Sequence, residues 1–203
     1  MKQTLICAAV VLFATVTFAQ SQRISADSPE EIIQQLWMNA TAGELFTTDG
    51  IQRDSGAFAH PEDAAANKPQ RVFSNSWAVR PAQIKGDNAE VIVDYQPIGE
   101  LDSSLRFKPA PDDGCCMKKY GLVFHLARLP TYSIMYESDG KKLIPVKKKT
   151  TGDVAWQITD PRDFHWTTVN TAIRYVLEKR NKTTNPVIRA NADRTITALL
   201  HYR

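Results

Sequence analysis

The chain has 203 residues, with 25 Lys and Arg against 22 Asp and Glu for a net charge of +3, and is 43% hydrophobic and 9% aromatic. So even a balance excludes nucleic-acid binding driven by bulk charge, while the length suffices for a sizeable core in one domain. Only 9 glycines are spread along it, with no glycine-rich phosphate loop, so no nucleotide cofactor is expected.

The N-terminus, MKQTLICAAVVLFATVTFAQSQ, has Lys2 as a basic start, an apolar run from Leu5 to Phe18 and the small residue Ala19 before Gln20. This is the pattern of a secretory signal peptide over 1–19, cleaved after Ala19. The run of about 14 residues is short of the roughly 20 that span a bilayer. The mature chain, 20–203, is therefore expected to be secreted or periplasmic, without a membrane anchor. Cleavage removes Cys7 and leaves Cys115 and Cys116 side by side in PDDGCCMKKYG. They have three possible uses: a vicinal disulfide, favoured by an oxidising compartment; bridges to another chain; or a reduced pair, reactive or metal-binding, whose ionisation Lys118 and Lys119 assist. A ring between neighbours closes almost no loop, so a local redox-sensitive turn is expected and not a staple of the fold.

The stretch SPEEIIQQLWMNATAGELF predicts a helix over 28–43. Asp27 or Ser28 caps it, Pro29 suits its first turn, Glu30 and Glu31 face the positive end of the dipole, and Gly43 stops it. Ile32, Ile33, Leu36, Trp37 and Ala40 form its apolar stripe. A shorter helix is expected around Asp49 to Phe58, and EDAAANKPQ, Glu62 to Gln70, reads as a surface loop.

From Arg71 the apolar period becomes two. Phe73, Trp77 and Val79, interrupted by Asn75, alternate in RVFSNSWAV; Val91, Val93 and Tyr95 in AEVIVDY; Leu105 and Phe107 in SLRF; Leu122, Phe124 and Leu126 in YGLVFHLAR; and Val154, Trp156 and Ile158 in DVAWQIT. These five segments predict strands over about 71–158 with one buried face, and Ser74, Asp94, Arg106, His125 and Gln157 on the other. YSIMYESDGKKLIPV predicts a hairpin between the last two, turning at Asp139-Gly140. Lys141, Lys142 and Lys147 to Lys149 read as its solvated tip. Helices follow over about 164–200: one from Asp163 or Phe164, with Trp166, Val169, Ile173, Val176 and Leu177 on one side, and a last one from Asn191 to Leu200. The whole is an α+β domain, N-terminal helices on a curved, mostly antiparallel sheet, closed by C-terminal helices.

Helix, short helix and long antiparallel strands in this order resemble the cone-shaped half barrel of the nuclear transport factor 2-like superfamily, which includes ketosteroid isomerase, scytalone dehydratase and the polyketide cyclases. ELFTTDGIQRDSGAFAHP, VFSNSWAV and AEVIVDYQPIGELDSSLRF are similar to exported bacterial members with no assigned activity. The resemblance covers roughly Ser28 to Ile158; the C-terminal helices depart from the basic pattern. It implies a sheet wrapped around an interior and, in the members that are enzymes, an acid, base or hydroxyl inside the cone.

On the interior face, the aromatics Trp37, Trp77, Tyr95, Phe124 and Trp156 either line an apolar ligand cavity or fill the core. Asp94, Tyr95 and His125 are the catalytic candidates. The alternation puts Tyr95 inside and Asp94 and His125 on the polar face, where with Arg106 they would form a cross-strand cluster. The 4 histidines show no metal-ligand spacing, so no metal is expected. No nucleophile elbow is present. Asn39-Ala-Thr41 and Asn181-Lys-Thr183 match glycosylation sequons. Three functions are compatible with this pattern: a non-catalytic exported protein binding a small apolar ligand or a partner chain; a cofactor-independent isomerase, dehydratase or cyclase-like enzyme; and an interaction protein acting through an oligomeric sheet face, for example as a homodimer.

Overall fold

The computed structural model describes residues 28–46, 54, 56–61, 69–110, 120–138, 143–162 and 164–203, of which 45, 132–138 and 143–151 are described by their backbone. The expected leader, the Cys115–Cys116 pair, the expected Asp139-Gly140 turn and most of the expected second helix and of the EDAAANKPQ loop lie outside these residues. Helix α1 spans Pro29–Ala42. Its start is set by the Ser28 hydroxyl, which accepts the Glu31 N–H at 3.3 Å, and its end by Gly43, whose φ of 87° only glycine adopts freely. All five residues of the expected stripe are buried. Beyond it, Glu44–Phe46 forms a single tight turn.

Among the described residues seven strands follow: β1 Gln70–Val79, β2 Gln83–Lys85, β3 Asn88–Leu101, β4 Phe107–Pro109, β5 Tyr120–Ser138, β6 Leu143–Asp160 and β7 Trp166–Thr168. They form one curled sheet, a half barrel with helices at both ends, in the order β6-β5-β3-β1-β7, with β2 and β4 also paired to β3. Every pairing is antiparallel except that of β1 with β7. Helices α2, Val169–Lys182, and α3, Pro186–Leu200, complete the chain. Among the described residues no helix is long and apolar enough to cross a membrane.

Several expectations need correcting. Leu105 is not in a strand but in a turn, with φ at 59°, where the Asp102 carboxylate accepts the N–H groups of Ser104 and Arg106 at 2.9 Å each. The hairpin is no separate element: β5 runs unbroken through YGLVFHLARLPTYSIMYES, and β6 pairs with it back to His125. Lys147 to Lys149 consequently belong to β6, Lys147 in register with Ile134, instead of to the tip. Residues 166–168, assigned from sequence to a helix, pair in parallel with Arg71 to Phe73, so α2 starts only at Val169, capped by the Thr168 hydroxyl. The last helix begins five residues early because Asn185 caps it and Pro186 suits its first turn.

The sheet also has more than one buried face. Adjacent residues of a strand point to opposite sides, and both Val72 and Phe73 are buried. Phe73 joins the core beneath α1, with Ile33, Leu36, Trp37, Val91, Val93, Phe124, Leu126 and Ile158. Val72 joins a second core with Ile98, Leu101 and Leu105 under α2 and α3, which contribute Val169, Val176 and Leu199. Gln157, expected on a polar face, is buried and donates its amide to the carbonyls of Leu129 and Pro130.

Candidate functional site

Trp37 lies at the centre of the first core, fully shielded from solvent. Five rings surround it: Phe73 edge-on at 4.5 Å between centroids, Tyr95 at 5.5 Å, Trp166 at 5.6 Å, and Trp77 and Phe164 at 5.8 Å each. Such edge-to-face and tilted contacts suit aromatic quadrupoles and add to the burial each ring contributes. The Trp37 indole N–H has no hydrogen-bond acceptor among the described residues. Phe124 is equally shielded and packs on Phe164, so these two cavity candidates fill the interior. Trp77, Tyr95 and Trp156 lie at its margin. Trp77 donates its indole N–H to the Thr41 hydroxyl at 3.1 Å, pinning β1 to the end of α1. Trp156 faces the Arg128 guanidinium, 5.8 Å from its ring centre.

Tyr95 is the one catalytic candidate that reaches this region. Its ring stands edge-on to Trp166 at 4.9 Å and is half-buried. Burial pushes its phenol above the ordinary value, the Arg71 charge acts in the opposite direction, and Tyr120 adds to the rise. Across the strand pair Tyr95 is in register with Tyr120, which is 47% exposed. Two residues that the alternation did not single out complete the cluster. Arg71, at the start of β1, places its guanidinium carbon 5.2 Å above the Trp166 ring, and Trp166 itself is buried. The signal for both was weak, since only the parallel pairing of Arg71 with Trp166 brings them together.

The other candidates lie elsewhere. Asp94 accepts two hydrogen bonds from Arg80, at 2.9 and 2.7 Å. His125 is exposed, in register with Glu90 and Asp160, and Arg106 pairs with Asp102. Asp94 is in register with Gly121, four positions along β5 from His125, a separation of about 13 Å along a strand. The expected Asp94, His125 and Arg106 cluster therefore does not form. A buried carboxylate occurs instead at Asp54, whose Oδ1 accepts from Asn39 at 2.6 Å, while Asn39 accepts from Gln35 at 2.8 Å. This chain ties α1 to the segment whose Phe58 bridges Ile158. It also makes the Asn39 sequon inaccessible in the folded chain, whereas Asn181 is exposed.

The fold and this cluster define an α+β protein with an aromatic interior and a mixed aromatic and cationic margin. Comparison of the chain with protein-family models, with curated proteins and with solved structures finds no match in any of the three.

Proposed function

We propose that the chain is an exported, non-catalytic protein that holds a small apolar ligand at the margin of its curled sheet, against Tyr95 and Tyr120. The observation that carries this is the contrast within the aromatic cluster. Trp37 and Phe124 are sealed, while Tyr95 is half-buried and its registered neighbour Tyr120 half-exposed, so aromatic surface continues from the core to solvent. Apolar surface left open beside a few polar groups is the ordinary composition of a small-molecule site. Against an enzyme, the Asp94 carboxylate is engaged by Arg80 and His125 lies on the exposed face. Export is supported by the leader-like N-terminus, and membership of the nuclear transport factor 2-like superfamily by the helix-then-curled-sheet order, which α2 and α3 extend.

A second function, as an interaction protein, has its own support. Among the described residues, β5 beyond Arg128 is paired with β6 alone, and Val154 in that region is 52% exposed. A two-stranded ribbon is marginal by itself in water and gains stability from a covering surface.

Native mass spectrometry of the exported protein, purified without reductant, tests both. A retained small molecule, lost in Tyr95→Ala, is the expected result. An empty dimer, with no thermal shift from added apolar compounds, would overturn ligand binding in favour of interaction.

A further inference from the structure

We infer that the ligand carries an anionic group, a carboxylate or its equivalent on an apolar or aromatic body, recognised by Arg71 together with the Tyr95 hydroxyl. This rests on the ligand-binding role proposed above and adds its chemical class.

Arg71 is exposed, and among the described residues its guanidinium makes no ion pair or hydrogen bond; its contact is the Trp166 ring, 5.2 Å from the guanidinium carbon. The nearest carboxylate by register is Glu100, across β3, and it forms no ion pair with Arg71. Lys108, in register with Glu100 on its other side, adds a second cation at this end of the sheet. Stacking on an aromatic face holds a guanidinium in a fixed plane while leaving its N–H edge free, and that edge matches a carboxylate with two parallel hydrogen bonds. The backbone fixes the stem, since the Arg71 N–H donates to His165 O at 2.7 Å in the β1–β7 pairing.

Tyr95 supplies the second polar group. Its ring packs on the same Trp166 face cluster, and among the described residues its hydroxyl has no hydrogen-bond partner. A phenol kept protonated by burial donates and does not compete with an anion for Arg71. The apolar body then lies over Tyr95 and the exposed half of Tyr120, where Leu122, packed at the edge of the first core, extends the surface. Charge complementarity thus selects an anion at one end, and aromatic area an apolar body at the other.

The test compares two probes of one shape, naphthylacetate and its neutral amide, naphthylacetamide, by calorimetric titration of the mature chain. Loss of a charge-assisted pair corresponds to about ten- to a hundredfold in affinity, so wild type is expected to prefer the carboxylate by that factor. Arg71→Met keeps an apolar stem on Trp166 and should bring the preference for the carboxylate close to one, the carboxylate losing far more affinity than the amide; Arg71→Lys should keep part of the preference. Tyr95→Phe should lower affinity for both probes, and for the carboxylate more than for the amide. An unaltered melting temperature in each variant excludes unfolding as the cause. Equal binding of both probes to wild type would overturn the anionic class and leave the apolar site standing. Binding of neither probe at millimolar concentration would overturn both.

Discussion

Asn39 Nδ2 donates to Asp54 Oδ1 at 2.6 Å, with both side chains buried, so a polar pair crosses from the inner side of α1 to a segment 15 residues further on. Replacing Asn39 takes one donor away from a buried carboxylate. Asn39→Ala is therefore expected to destabilise by about 2 kcal/mol or more in urea unfolding. In the double variant with Asp54→Ala the cost should fall short of the sum of the single costs, as it does for groups in direct contact.

Trp37 is the central ring of the first core. Trp37→Ala is expected to cost about 3–5 kcal/mol. Trp37→Phe keeps an aromatic ring, leaves a smaller cavity and deletes an indole N–H that has no acceptor among the described residues, so it should cost less than Trp37→Ala. Equal losses in the two variants, measured by chemical denaturation, would show that the polar edge of the indole matters as much as its packing.

Gly43 combines a φ of 87° with a tight approach: a Cβ there would lie 2.7 Å from Thr171 Cγ2 on α2. Gly43→Ala should cost roughly 1–2 kcal/mol for the left-handed backbone alone, and more if Thr171, whose hydroxyl donates to Thr41 O, must withdraw. A melting temperature unchanged by this substitution would mean that α1 and α2 do not meet as described.

Glu30 accepts the Ala82 N–H at 2.7 Å, which holds its carboxyl below the ordinary value of 4.5 against a smaller opposing effect of burial. A carboxylate with a folded value below its unfolded one contributes stability above the unfolded value, and loses it as the pH falls through the folded value. Wild type should lead Glu30→Gln in melting temperature at neutral pH, and the lead should shrink on acidification below 4.5. A lead independent of pH would remove Glu30 from this role.

Asp94 and His125, which drew attention as polar residues in strands, should prove inert. Asp94→Asn weakens its ion pair with the exposed Arg80 and should lower the melting temperature only slightly. His125→Ala should stay within about 0.5 kcal/mol of wild type, and neither should alter ligand affinity.

How far the sequence discloses this arrangement differs from element to element. Helix α1 is legible because its signals are local: Ser28, Pro29, two glutamates and Gly43 lie within one segment and agree. The alternation likewise places Phe73, Val91, Val93 and Phe124 in the core. Pairing between distant segments is not legible. Nothing local in Trp166-Thr-Thr tells a strand from a helix start, since it is β1 that makes it a strand. Val72 looks like a mere neighbour of Phe73 until α2 and α3 cover the reverse side of the sheet. The same applies to the site: Tyr95 is legible from its alternation with Val91 and Val93, whereas Arg71 gains meaning only from the Trp166 ring beneath it.

The central claim, an apolar ligand held at Tyr95 and Tyr120, is tested most directly by amide chemical-shift mapping of the protein during titration with naphthylacetate. The expected result is a saturable set of shifts centred on Arg71, Tyr95, Tyr120 and Trp166. Saturable shifts confined to the β5–β6 ribbon beyond Arg128, or no saturable shifts at all, would contradict it.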